Sequence, residues 1–126
     1  MTPTILVVED DEALRDALVA LLKRRGYTVQ AAASANDAIR VLSSEEVDLI
    51  LSDYYMADGN GQDLLDYVRR RNPSVPPFIM MTGQAGVTAA ELQRSGLQEF
   101  LTKPVSSRSL VEIIARYLAK SPASQG

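Results

Sequence analysis

A chain of 126 residues has room for one domain, and 46% hydrophobic against 23% charged residues is the composition of a folded protein rather than a disordered one. It contains no cysteine and no histidine, which excludes disulfides, thiolate metal sites, histidine acid–base chemistry and histidine-ligated metals. A net charge of −3 argues against direct contact with nucleic acid.

Residues 4–8 (TILVV) form a β-branched run with little alternation, as a strand covered on both faces requires. The opening MTPTILVVEDD lacks a basic n-region and a long apolar stretch, so neither a signal peptide nor a membrane span is expected, and the protein is read as cytoplasmic. From Asp11 to Arg25, Leu14, Ala17, Leu18, Leu21 and Leu22 recur at three and four, predicting an amphipathic helix that Gly26 ends. Residues 27–32 (YTVQAA) are a weaker second strand. Ser34 with Asp37 three residues on resembles an N-cap and its acid, opening a helix with Ala38, Val41 and Leu42 inward.

Residues 47–52 (VDLILS) read as the third strand, with Asp53 at its end. A helix over 61–71 carries Leu64, Leu65 and Val68, and residues 77–81 (PFIMM) make the fourth strand. A short helix is expected over 87–95 and a fifth strand over 99–102 (EFLT). The last helix, capped by Ser106 or Ser107, presents Leu110, Val111, Ile113, Ile114, Tyr117 and Leu118. The clusters Lys23-Arg24-Arg25 and Arg69-Arg70-Arg71 each precede a helix stop, where cations oppose the negative end of the macrodipole. Residues 1–120 are thus the domain, and 121–126 (SPASQG) a polar tail or the start of a linker.

Five successive strand–helix units predict a parallel sheet with helices on both faces and right-handed crossovers. In such sheets the functional crevice lies at the carboxyl ends of the strands. Those ends are Glu9-Asp10-Asp11, Asp53, Thr82 and Lys103-Pro104. Each has an ordinary use when taken singly: a helix cap, a turn, a packed hydroxyl, a solvated charge. Such uses do not explain why acids, a hydroxyl and an amine gather on one rim. Clustered carboxylates repel unless a cation offsets them, and oxygen ligands without His or Cys select a hard ion, Mg²⁺ or Mn²⁺. An ionised Asp beside such an ion can attack phosphorus to give an aspartyl phosphate. Lys103 then supplies a mobile positive charge and Thr82 a donor for the transferring group.

At VVEDDEALR, LSDYYM, GNG, MMTG and EFLTKP, in this order and spacing, the chain resembles the receiver domain of two-component response regulators over about residues 4–118. The resemblance implies a flavodoxin-like (βα)5 fold with a five-stranded parallel sheet in the order 2-1-3-4-5. It implies Asp53 as the phosphoacceptor, and Mg²⁺ (or Mn²⁺) held by Glu9, Asp10, Asp53 and the backbone carbonyl of Tyr55. Lys103 matches the phosphate-contacting lysine, followed by Pro104 in a cis peptide. Thr82 matches the switch hydroxyl and Phe100 the aromatic switch, which together alter the face of the fourth helix, fifth strand and fifth helix. Tyr55 and Gln84 occupy positions that tune the loss of the phosphoryl group to water, and a bulky Tyr55 is expected to shield it.

The partners implied are a sensor histidine kinase or phosphotransfer protein and a downstream effector domain or protein, with no membrane contact. The family also admits a dimer driven by phosphorylation. The module would catalyse only its own phosphorylation and dephosphorylation, and so is not classed as an enzyme. MMTGQAG is similar to receivers joined to transcriptional activators. Departures are Glu9 in place of Asp, Ala57 in place of Pro, and Gly59 and Gly61, which are expected to loosen the loop after the acceptor. The alternative is a receiver-like interaction module that works without phosphorylation. A flavodoxin-type cofactor binder is disfavoured because EDDE after the first strand repels phosphate, and a metal-dependent phosphatase because Tyr55 stands where its second acid belongs.

Overall fold

In a computed structural model of the protein, residues 2–56, 59–71, 76–83 and 99–120 are described. Strand β1 (Thr4–Val8) leads into helix α1 (Glu12–Arg24), strand β2 (Thr28–Ala32) and helix α2 (Ala35–Ser44). Strand β3 (Leu49–Asp53) is followed by two short strands, β4 (Tyr55–Met56) and β5 (Gly59–Asn60), and helix α3 (Gly61–Arg71). Strands β6 (Phe78–Thr82) and β7 (Glu99–Thr102) and helix α4 (Ser107–Lys120) complete the described elements. The predicted helix over 87–95, Ala57, Gln84 and the tail from 121 lie outside the described residues.

The main sheet is parallel throughout in the order β2-β1-β3-β6-β7, the 2-1-3-4-5 order expected once β4 and β5 are set aside. Alternation along the strands divides the core in two. Ile5, Val7, Leu49, Leu51, Ile79 and Met81 pack with Leu18 and Leu22 of α1 and with Leu110, Ile114 and Leu118 of α4. Leu6, Val8, Ile50, Phe78 and Met80 point the other way, onto Ala35 and Ala38 of α2 and Leu64, Leu65 and Val68 of α3. Both faces of the central strands are therefore dry, which is why TILVV and LIL carry no polar alternation.

The helix starts follow local chemistry. Asp11 accepts from the Leu14 N–H at 3.0 Å and Ser34 from the Asp37 N–H at 3.1 Å, each supplying one of the helix's unpaired donors with an acceptor. For α4 the cap is Ser106, whose hydroxyl accepts from the Ser109 N–H at 3.1 Å. Gly26, at φ +93°, turns the chain out of α1 in a conformation that side chains resist. On the outer side, the Tyr117 hydroxyl donates to Glu99 at 3.0 Å and ties α4 to β7.

Two expectations are corrected. The third and fourth strands begin later than their apolar runs and include Asp53 and Thr82, because pairing with neighbours rather than hydropathy sets their ends. In the loop after the acceptor the described residues are paired. Tyr55 pairs with Asn60 and Met56 with Gly59 in a small antiparallel hairpin. Asn60 caps α3 by accepting from the Asp63 N–H at 2.9 Å. Gly61 is buried, its N–H donates to the Tyr54 carbonyl at 2.6 Å, and a Cβ there would lie 3.0 Å from the Asp53 carbonyl oxygen and 3.1 Å from Met80 Sδ and Cε. Close approach, not freedom, is what this glycine provides. Gly61→Ala should therefore destabilise the fold by about 1–3 kcal/mol, the usual scale of overpacking, as measured by urea unfolding.

Candidate functional site: carboxylates and a lysine at the strand ends

The end of β1 presents Glu9 and Asp10 in sequence, but their surroundings differ sharply. The Glu9 N–H donates to the Ala32 carbonyl at 3.0 Å and the residue is 1% exposed, whereas Asp10 is open to solvent. A buried carboxylate requires partners. Glu9 has two: Oε2 accepts from the Asp11 N–H at 3.1 Å and Oε1 from Lys103 Nζ at 2.9 Å. Asp53, at the end of the neighbouring strand and 7% exposed, lies with Oδ2 3.3 Å from the same Lys103 Nζ. Carboxylate oxygens of Glu9, Asp10 and Asp53 all lie within 4.8 Å of one another.

Lys103 is held from its own side as well. Its N–H donates to the carbonyl of Thr82 at 2.8 Å, at the end of β6, and the Lys103–Pro104 peptide is cis. Thr82 is 1% exposed and follows Met81, which is paired with Asp53. Phe100 lies on β7 opposite Met80, half-buried against the cluster beneath α2 and α3. Tyr55 is the outlier at 43% exposed, its ring edge-on to Tyr54 at 4.7 Å between centroids. Gln84 is not among the described residues.

The electrostatics follow from a surplus of acids over cations. Burial, with repulsion from Asp53 added, raises the Glu9 carboxyl above 4.5 despite its bonds to Lys103 and Asp11. Burial also works against the Lys103 ammonium, yet its bonds and proximity to Glu9 and Asp53 outweigh this and raise it above 10.5. Both shifts point upward, for Glu9 because burial dominates and for Lys103 because two carboxylates face one ammonium.

Two residues with a place in this geometry carried no assigned role in the sequence. The Ser52 hydroxyl, wholly buried, donates to the Asp53 carbonyl at 2.9 Å. Arg15, on α1, donates from Nη1 to the Glu9 carbonyl at 3.0 Å. A hydroxyl closing the apolar run LILS and an arginine six residues beyond the first acid were the available signals, since both side chains need partners when covered.

A parallel sheet in this strand order, with carboxylates and a lysine meeting at its carboxyl rim, defines a signalling domain of the receiver class. The chain belongs to the response regulator receiver domain family, whose description matches residues 5–115. It is 37% identical to the response regulator protein FleR of Pseudomonas aeruginosa, over 99% of this chain and 27% of that protein. It is 35% identical to the DNA-binding transcriptional regulator NtrC of Bradyrhizobium sp., over 98% and 27%. The chain thus spans about a quarter of the length of these curated relatives. Among solved structures, a CheY-like receiver domain protein of Methanospirillum hungatei JF-1 superposes with a TM-score of 0.89 at 30% identity, covering 95% of this chain and 96% of that one. Receiver domains of two-component regulators are phosphorylation-based signalling modules rather than classical enzymes, and they bind Mg²⁺ at an acidic cluster; Glu9, Asp10 and Asp53 form an acidic group in this chain. Among the described residues no helix is long and apolar enough to cross a membrane.

Proposed function

We propose that this chain is a cytoplasmic phosphoryl-accepting switch, in which Asp53 takes a phosphoryl group from the phosphohistidine of a sensor histidine kinase or phosphotransfer protein. The observation that carries this is the convergence of Lys103 Nζ on Glu9 at 2.9 Å and Asp53 at 3.3 Å within the three-carboxylate cluster. The donor set is all hard oxygen at mutual distances within 4.8 Å, which fits a small divalent ion. Glu9, Asp10, Asp53 and the Tyr55 backbone carbonyl would hold Mg²⁺ or Mn²⁺, which when bound supplies positive charge beside the phosphoryl oxygens.

An Asp53 carboxylate oxygen attacks phosphorus in line as the phosphorus–nitrogen bond of the donor breaks, and the imidazole, protonated at its other nitrogen, leaves neutral. Lys103 turns its ammonium from Asp53 to a phosphoryl oxygen, meeting charge as it spreads over the equatorial positions. The Thr82 hydroxyl donates to a second oxygen, and its movement lets the Phe100 ring turn inward. The face formed by β7, α4 and the segment before β7 changes, and an effector domain or protein, or a second copy of this chain, reads it. Tyr55 and Gln84 set how fast water removes the group. In this reading residues 1–120 are the switch and 121–126 the beginning of a linker or tail.

Intact mass after incubation with acetyl phosphate tests the proposal. One phosphoryl group should be gained only with Mg²⁺ and not by Asp53→Asn, and the decay of the same signal in Tyr55→Asn reports the shielding. No gain in folded protein that binds Mg²⁺ would favour an interaction module working without phosphorylation.

A further inference from the structure

Arg15 belongs to the same stretch as the acidic pair but has no part in the chemistry proposed above. It is half-buried on α1, and its Nη1 reaches back six residues to the Glu9 carbonyl at 3.0 Å. That oxygen is the one on the peptide joining Glu9 to Asp10. Because a peptide unit is planar, fixing its oxygen also fixes the nitrogen and Cα of the next residue. Arg15 therefore sets the orientation of Asp10, an exposed side chain for which no other anchoring contact is described. Glu9 is meanwhile held at every polar group: N–H to Ala32, carbonyl to Arg15, carboxylate to Lys103 and the Asp11 N–H. A charged guanidinium makes a stronger and more directional bond to a carbonyl than a neutral donor.

We propose that Arg15 is a positioning residue for the cation site, orienting the Glu9–Asp10 peptide so that the two carboxylates are preset for a divalent ion; the inference rests on the function proposed above. A second effect opposes it. A positive charge near the acids repels an incoming cation, so a guanidinium that acted only through its charge would weaken binding, and its removal would tighten it. The two effects have opposite signs, and this makes them separable.

The experiment is thermal unfolding of the wild type, Arg15→Met and Arg15→Lys across a series of Mg²⁺ concentrations, paired with the initial rate of phosphorylation by acetyl phosphate over the same series. Ligand that binds the native state raises the unfolding temperature from a threshold concentration near its Kd, and that threshold, with the half-saturation of the rate, is the Mg²⁺ midpoint read in each series. Loss of an outer-shell partner typically weakens metal binding 10–100-fold, and action through the backbone belongs at the low end, so Arg15→Met should raise the Mg²⁺ midpoint about tenfold in both readouts. Arg15→Lys, which keeps the charge but not the planar fork, should fall between. A general loss of stability would lower the unfolding temperature without moving the midpoint. A midpoint for Arg15→Met equal to or below that of the wild type overturns the proposal. Should Arg15→Met not fold, Arg15→Lys decides alone: a raised midpoint supports the proposal and an unchanged one overturns it. A wild type blind to Mg²⁺ in both readouts overturns the function proposed above, and this inference with it.

Discussion

Lys103→Met is expected to slow phosphoryl uptake by Asp53 by about 10²–10³, the scale seen when one preorganised donor to a developing charge is removed. It should also lower stability at neutral pH by roughly 2–3 kcal/mol, below the full cost of orphaning a buried charge because a quarter of the Lys103 side chain is open to water. The loss falls mainly on Glu9, at 1% exposed, whose carboxylate would keep, among the described residues, the Asp11 N–H as its one hydrogen-bond donor. Its pH dependence has a definite sign. The folded Glu9 carboxyl titrates above 4.5, so its contribution is most favourable below 4.5 and is lost as pH rises through the folded value. Without the ammonium that loss deepens, so the variant should be nearly as stable as the wild type in acid and distinctly weaker at pH 7. On the alkaline side the gap narrows. The wild type holds the Lys103 contribution in full below 10.5 and loses it as pH climbs through the raised folded value, a loss the variant cannot show. Urea unfolding across pH, in chelator and in Mg²⁺, checks both arms. Equal destabilisation in acid and at neutrality would mean that the Lys103–Glu9 contact is not the source.

Phe78→Ala is expected to remove about 3–5 kcal/mol, the range for emptying a wholly buried aromatic site. Among the described residues Phe78 is the largest fully buried side chain, and it sits on β6 opposite Ile50 in the cluster shared with α2 and α3. Against a net stability of roughly 5–15 kcal/mol, that is a large share. The denaturant midpoint should fall while the slope stays unchanged, since the same surface is exposed on unfolding. A cost below about 1 kcal/mol would mean that the layer between the sheet and α2 and α3 collapses to fill the space.

Much of this architecture could be read from the order of residues. TILVV, the helix over 61–71 and EFLT are found with the bounds expected, because each is a strongly patterned run between clear stops. The assembly of acids, hydroxyl and lysine on one rim follows from the rule that parallel strands present their carboxyl ends together. Other features were not legible, for definable reasons. A hairpin of two residues per strand is too short to show a period. Val47 leads into the apolar run at Leu49, but the Asp48 carboxylate turns back to accept from the Thr4 N–H at 2.7 Å, and the strand begins only after it. Adjacent acids look equivalent in a sequence, whereas here Glu9 is held in by the Ala32 carbonyl and Lys103 while Asp10 stands exposed. Ser52, Arg15 and Gly61 act through where a donor points or how near a backbone comes, and no pattern of polarity encodes that.

The carboxylates and the lysine are not fastened to the sheet equally. Glu9 and Asp53 close β1 and β3, which are flanked on both sides and wholly buried from Ile5 to Val8 and from Leu49 to Leu51. Lys103 follows β7, which among the described residues is the outermost strand, paired with β6 alone, half-buried from Glu99 to Leu101 and exposed at Thr102. Proteins open locally with free energies that track such differences, and a sheet margin yields before its centre. A brief detachment of β7 would thus carry the ammonium away while the carboxylates stay in place. The domain need not unfold to part its ammonium from its carboxylates: it has only to breathe at one edge.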